Sequence, residues 1–139
     1  MLVDERGVPL SLVASGANVH DMKLLVPTLD RTVLARPQPD PEQPQNLCAD
    51  AGYKGEPAGA AAQARNYQPQ IKQRKEEAEA KLNQPGWKAR RWVVERTHSW
   101  FNRYRKLLVS FEKTEASYVG LLSLAAALIC WRQTMSIYG

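Results

Sequence analysis

Two carboxylates stand in settings that could support metal-dependent chemistry. Glu95 is the single acid in RRWVVERTHSWFNRYRKL, residues 90–107, where it lies among six basic residues. Asp50 closes the apolar run NLCAD and precedes the glycine-containing segment AGYKG. Carboxylates are the hard oxygen ligands that Mg²⁺ takes in proteins. Both acids are therefore candidate ligands of a divalent-cation site of the kind that acts on phosphodiesters.

Glu95 is predicted to lie at the centre of the polar face of an amphipathic helix. We placed residues 92–112 on a helix at 100° per residue. The side chains within about 60° of Glu95 are those of Lys88, Arg91, His98, Ser99, Asn102 and Lys106. The opposite side carries Val93, Thr97, Trp100, Phe101, Tyr104, Leu107, Leu108 and Phe111. The structural alternative is an Arg91–Glu95 pair at i,i+4, worth about 0.2–0.5 kcal/mol on a solvated face. The remaining polar and basic neighbours favour phosphate contacts or metal-ligand chemistry.

Asp50 follows a predicted strand, at the place where side chains of α/β sheets often do chemistry. The alternative is a turn in which its carboxylate accepts backbone amide hydrogen bonds. A two-metal site also generally needs a third acid. The pair His20-Asp21 resembles metal-binding pairs of phosphohydrolases, but capping of the following helix explains Asp21 better.

The charge of the chain is concentrated around Glu95. The 139 residues hold 19 basic and 14 acidic side chains, a formal net charge of +5. Residues 88–106 hold seven basic residues and one acid, a net of +6, so the rest of the chain sums to −1. Such a concentration is typical of a polyanion partner, most often nucleic acid. A merely soluble cationic surface is the alternative.

The length of the chain and its two cysteines limit the class of protein. The length suits one domain with its own apolar core. Cys48 and Cys130 are far apart, which predicts reduced, packed thiols in a cytoplasmic protein. The N-terminus shows no signal-peptide pattern. The most apolar run, residues 118–131, is shorter than the ~20 residues that span a bilayer, so it is predicted to be a buried core helix.

The pattern of the chain predicts a mixed α/β fold. Two short strands should flank a turn at Glu5-Arg6-Gly7, and Pro27 should kink the next helix or delay its start to about Val26. The other predicted elements are a loop at 36–46, a strand ending at Asp50, a short helix from near Pro57, a strand at 67–72, a helix at about 89–112 and a C-terminal helix at about 115–134.

Three stretches together resemble the DDE transposases of bacterial insertion sequences. They are DERGVPLSLVASGANVHD (4–21), LCADAGYKG (47–55) and RWVVERTHSWFNRYRKLLVSFE (91–112), in the order of that family. The resemblance implies an RNase H-like catalytic domain of mixed-sheet α/β type. It also implies that Asp50 and Glu95 are the second and third catalytic acids, each ligating Mg²⁺ or Mn²⁺. The implied DNA contacts are Lys88, Arg91, Arg96, Asn102, Arg103 and Lys106.

The chain departs from the family pattern at two places. In the related signature Tyr-x2-Arg-x3-Glu-x6-Lys, Arg91 and Glu95 match, while Lys88 replaces the tyrosine and Asn102 the lysine. The family's first catalytic Asp precedes the strand that begins here near Val3. We therefore expect an N-terminally truncated domain, residues 1–139, whose missing acid an upstream reading frame or a partner copy could supply.

The leading hypothesis is a transposase that cleaves and transfers DNA strands at the element's ends and target. A non-catalytic DNA-binding remnant is the alternative. A chain that folds poorly and has no function is the third possibility.

Overall fold

The computed structural model describes residues 1–32, 37–53, 55–71, 92–109 and 111–138. Its elements in chain order are β1 (Leu2–Val3), β2 (Pro9–Ser11), α1 (Met22–Asp30), β3 (Gln45–Ala49), α2 (Glu56–Gln63), β4 (Tyr67–Ile71), α3 (Trp92–Phe101), α4 (Arg105–Leu108) and α5 (Glu115–Tyr138). They form two compact units, which we call the terminal unit (Met1–Ala14, Arg31–Val33, Trp92–Gly139) and the middle unit (Ser15–Asp30, Leu34–Arg91). The mixture of helices and small sheets confirms the α/β class.

The middle unit contains a strand–helix–strand crossover. Strands β3 and β4 pair in parallel, with Gln45 opposite Tyr67 and Ala49 opposite Ile71, and α2 connects them. Parallel strands need such a crossover connection. Ala58 and Ala62 of α2 are buried, as are Leu47 and Tyr67 on the two strands. The predicted strand before Asp50, the helix near Pro57 and the following strand are all confirmed.

Helix α1 begins at Met22 and contains Pro27. The predicted later start near Val26 is therefore wrong, while the alternative, a kink at Pro27, stays a prediction. The proline removes one helical hydrogen bond, to the carbonyl of Lys23. His20, rather than Asp21, supplies a side-chain bond at the helix start, because its Nδ1 accepts the amide of Met22 at 3.2 Å.

The terminal unit begins with the predicted antiparallel hairpin. Asp4 Oδ1 accepts the amides of Arg6 and Val8, each at 2.8 Å, and the amide of Gly7 donates to the Asp4 carbonyl. Gly7 has φ +84°, a left-handed conformation that glycine adopts without steric penalty. In the described residues, β1–β2 and β3–β4 are separate two-stranded sheets rather than one mixed sheet.

The helix predicted at about 89–112 is interrupted. Helix α3 ends at Phe101, and Tyr104 takes an extended backbone, φ −91° and ψ 95°, before α4 begins. The amides of Arg103 and Tyr104 bond to carbonyls three residues earlier, which tightens the last turn. Tyr104 and Leu107 then pack against a buried cluster formed by Phe101, Ala125, Ala126 and Ile129. This packing accounts for the break, because it redirects the chain onto α5.

Helix α5 extends to Tyr138, four residues beyond the predicted end. Only its face with Ala125, Ala126 and Ile129 is buried, so the predicted core helix contributes one face to the core. Within the described residues, 115–136 is the one helix long and apolar enough to cross a membrane by length and composition alone. Core helices of soluble proteins pass the same test, and one face of α5 packs on such a core.

Candidate active site

Helix α3 presents Glu95 to solvent. Val93, Thr97 and Phe101 are buried on the inner face, whereas Glu95 and its polar neighbours His98, Ser99 and Asn102 are exposed. The amphipathic pattern is thus confirmed for residues 92–101. The Glu95 carboxylate makes no hydrogen bond or ion pair with the part of the chain that the structure describes. Lys88 and Arg91 lie outside the described residues, so the Arg91–Glu95 pair stays a prediction.

The inner face of α3 is fixed to the hairpin turn by Thr97. This side chain is fully buried, and its hydroxyl donates to the carbonyl of Gly7 at 2.6 Å. The carbonyl of Val93 lies 3.1 Å from the same hydroxyl oxygen. Because Thr97 lies two residues after Glu95, this bond sets the position of the helix segment that carries the carboxylate.

Arg96, a predicted DNA contact, is engaged within the fold. Its guanidinium lies 4.7 Å from the Trp92 ring centroid and 5.3 Å from that of Trp100, distances at which cation–π attraction operates. It also donates a hydrogen bond to the carbonyl of Arg6. Arg96 therefore ties α3 to the hairpin beside the Thr97 contact.

The other described residues predicted to contact DNA are exposed. Asn102 and Arg103 lie in the turn after α3, and Lys106 lies on α4 together with the exposed Arg105. Since the helix is interrupted at Tyr104, Lys106 does not continue the face that carries Glu95. The structure instead groups Arg103, Arg105 and Lys106 around the break.

Asp50 lies immediately after β3, at the carboxyl end of a parallel strand, as predicted. Its Oδ1 accepts the amide of Gly52 at 2.9 Å, and its carbonyl accepts the amide of Tyr53. This is the turn geometry that the alternative interpretation anticipates. Asp50 is exposed, and its Oδ2 makes no hydrogen bond to the described residues. The turn therefore orients the carboxylate.

The negative charges of two acids affect the pKa of Tyr53, whose side chain is half-buried in the middle unit. Burial raises the pKa of the Tyr53 phenol, and the negative charges of Asp21 and Asp50 raise it further. A negative charge nearby opposes formation of the phenolate. The Tyr53 pKa therefore reports on the charge at Asp50.

Asp50 and Glu95 remain predicted ligands of a divalent cation. Asp50 and Glu95 are both exposed carboxylates of the type that Mg²⁺ prefers. They belong to the middle and the terminal unit respectively. Among the described residues there is no group of three or more His, Cys, Asp or Glu side chains that could hold a metal ion.

The sequence analysis missed the contacts of Thr97 and Arg96 with the hairpin. Thr97 was placed on the apolar side of α3 without a partner. Two sequence features could have indicated the Thr97 contact. One is a hydroxyl among apolar neighbours, which needs a hydrogen-bond partner when it is buried. The other is a glycine in a hairpin turn. Nothing in the sequence connects positions separated by 90 residues.

Comparison with known proteins agrees with the motifs. The family model described as "Transposase DDE domain" matches residues 1–130, so the chain belongs to the DDE transposase family. A protein of Burkholderia cepacia named "Putative transposase for insertion sequence element IS402" is 34% identical over 136 residues. The match covers 94% of this chain and 61% of that relative, so the chain spans about three fifths of its length. No solved structure matches the chain.

Proposed function

We propose that this chain forms part of a DDE transposase that cleaves and transfers DNA strands at insertion-sequence ends. The observation that carries the proposal is Glu95, an exposed carboxylate without a described partner on a helix whose inner face is fixed to the hairpin. We assign the complete catalytic domain to the RNase H-like class on the resemblance of its motifs.

In this proposal Asp50 and Glu95 are each ligands of Mg²⁺ or Mn²⁺. The bound metal would activate the attacking oxygen and stabilise the leaving oxygen in phosphodiester chemistry. The turn at Gly52 orients Asp50 Oδ1, and the Thr97 bond orients the backbone that carries Glu95. Two-metal sites usually take a third acid, which we assign to a part of the transposase outside these motifs.

Exposed cations would bind the DNA backbone. Arg103, Arg105 and Lys106 are exposed around the turn that follows α3, and Asn102 adds a polar group beside them. Each phosphate contact adds about 0.9 to the slope of log affinity against log salt concentration. Lys88 and Arg91 complete the proposed set, and the substrate would place the protein at the bacterial nucleoid in the cytoplasm.

The test is metal-dependent cleavage of DNA carrying the element's ends. The assay uses this chain alone and extended by the upstream coding sequence. We expect Glu95→Gln and Asp50→Asn each to reduce cleavage at least about 100-fold while leaving DNA binding intact. Asp40→Asn is a matched control, because Asp40 Oδ1 likewise accepts backbone amide hydrogen bonds in an exposed turn, from Glu42 and Gln43. Cleavage that survives Glu95→Gln would contradict the assignment.

A non-catalytic DNA-binding protein is the second candidate. It is favoured by the lack of a three-ligand metal group among the described residues. Salt-dependent DNA binding by the chain, with no cleavage even after N-terminal extension, would select this candidate over the transposase.

A further inference from the structure

Arg96 comes directly after Glu95 on α3, and its side chain lies between two indole rings of the same helix. Trp92 is four residues before it and Trp100 four residues after it, so the three side chains form one row along the helix. The guanidinium carbon is 4.7 Å from the Trp92 ring centroid and 5.3 Å from that of Trp100. Cation–π attraction to both rings therefore holds the cation against the surface of α3.

The same guanidinium reaches the turn of the N-terminal hairpin, which belongs to the same compact unit. It donates a hydrogen bond to the carbonyl of Arg6. Its Nε is buried beside Gly7, because a Cβ added to that glycine would lie 3.5 Å from it. The next residue of the helix, Thr97, donates to the carbonyl of Gly7 at 2.6 Å. Two consecutive side chains of α3 thus bond to two consecutive carbonyls of the turn.

This pair of bonds sets the rotation of α3 about its own axis. Consecutive side chains project about 100° apart around a helix. A helix held at one point can still turn about that point, whereas bonds from two neighbouring residues oppose the turn. The direction midway between Arg96 and Thr97 is about 150° from that of Glu95. The hairpin therefore holds the side of α3 roughly opposite the carboxylate, and the attachment fixes the direction in which Glu95 projects.

We propose that Arg96 is a positioning residue for Glu95 and does not bind DNA phosphates. The inference rests on the proposed function of Glu95 as a metal ligand. Its size follows from the dependence of catalysis on placement, since an error of about 1 Å costs about 100-fold in rate. Lysine cannot replace Arg96 in this role, because an ammonium group lacks the planar fork that stacks on an aromatic ring while it donates hydrogen bonds in its own plane.

The salt dependence of DNA binding separates the two roles of Arg96. The slope of log affinity against log salt concentration is measured for the chain with DNA that carries the element's ends. Arg96→Gln should leave this slope unchanged. Arg103→Gln, which removes a proposed phosphate contact, should reduce its magnitude by about 0.9. An equal reduction in Arg96→Gln would overturn the proposal, because it would show that the guanidinium neutralises a phosphate.

The orientation of α3 provides a second measurement that needs neither metal nor DNA. Residual dipolar couplings of backbone amides, measured by NMR, give the direction of α3 relative to the hairpin. Arg96→Lys should change the couplings of residues 93–99 relative to those of the hairpin. Arg132→Lys is the matched control, since it makes the same change at an exposed position of α5, and it should change neither set. Circular dichroism verifies folding. Couplings in Arg96→Lys identical to those of the parent chain would overturn the proposal.

DNA cleavage by the chain extended with its upstream coding sequence connects this orientation to function. Arg96→Lys should lower kcat about 10–100-fold and leave KM for DNA unchanged, as expected when placement rather than binding is lost. Arg132→Lys should leave both constants unchanged. Glu95→Gln in the same assay distinguishes the two claims. Cleavage that survives Glu95→Gln would overturn the proposed function, whereas Glu95-dependent cleavage at the parental rate in Arg96→Lys would overturn the positioning role alone.

Discussion

The hydroxyl of Thr97 donates to the carbonyl of Gly7 across 2.6 Å, joining the helix that carries Glu95 to the N-terminal hairpin. Thr97 is fully buried, so no water replaces this bond in the folded protein. The residues are 90 positions apart. Two motifs of the family, the hairpin and the glutamate helix, therefore meet at one buried hydrogen bond.

Replacing Thr97 by valine should destabilise the fold. Thr97→Val keeps the shape of the side chain but leaves the Gly7 carbonyl without its hydroxyl partner, at a cost of about 1–3 kcal/mol. Thr97→Ser keeps the hydroxyl and loses one methyl group, worth about 1 kcal/mol. Urea denaturation monitored by circular dichroism compares them. Equal stability of Thr97→Val and the parent chain would show that the bond contributes nothing.

Gly7→Ala should also be destabilising. Gly7 has φ +84°, and a Cβ there would lie 2.9 Å from Thr97 Oγ1 and 3.3 Å from the Val93 carbonyl oxygen. The left-handed backbone alone costs a non-glycine residue about 1–2 kcal/mol. The control is Gly59→Ala in α2, where a Cβ meets nothing within 4 Å. It should stabilise the helix by up to about 1 kcal/mol. A melting temperature that shifts in the same direction in both variants would contradict this account.

The Tyr53 phenol should titrate closer to its ordinary pKa of 10.0 in Asp50→Asn. Burial and the charge of Asp21 remain in this variant, so the pKa should stay above that value. Because folding raises this pKa, the stabilising contribution of neutral Tyr53 is present below pH 10 and is lost as pH rises through the folded-state pKa. Site-specific NMR titration, with Asp40→Asn as control, measures the shift. An unchanged Tyr53 pKa would show that Asp50 exerts no field there.

The two thiols should differ in reactivity. Cys48 is exposed and Cys130 half-buried, which corrects the prediction that both are packed. Burial raises the pKa of the Cys130 thiol, and the charge of Asp4 raises it further, so less of the reactive thiolate forms at neutral pH. Stopped-flow modification should show a fast phase that Cys48→Ser removes and Cys130→Ser retains. A fast phase that Cys130→Ser removes instead would reverse the assignment.

Local sequence patterns predicted much of the fold. The turn at Gly7, the strand before Asp50 and the short helix from Glu56 each follow from neighbouring residues. The interruption at Tyr104 did not, because it depends on the packing of Tyr104 and Leu107 against α5. The exposure of the apolar side chains Leu124, Leu128, Trp131 and Met135 was also missed, since α5 is apolar on several faces and periodicity alone does not say which face is buried.

The candidate site was predictable as two separate acids. Strand end and glycine turn identified Asp50, and the charge pattern of α3 identified Glu95. The contact that positions the helix carrying Glu95 was not predictable, because the Thr97 hydrogen bond depends on the tertiary position of the hairpin. Arg96 illustrates the same limit, since its position between Trp92 and Trp100 and its bond to Arg6 follow from packing.

The central proposal is that Asp50 and Glu95 are each ligands of a divalent metal ion, and paramagnetic NMR with Mn²⁺ tests it most directly. We expect Mn²⁺ to broaden the amide resonances of Gly52, beside Asp50, and of His98, beside Glu95. Asp50→Asn should abolish the broadening at Gly52 and Glu95→Gln that at His98, while Asp40→Asn changes neither. Broadening at Gly52 that survives Asp50→Asn, or broadening at His98 that survives Glu95→Gln, would contradict the proposal.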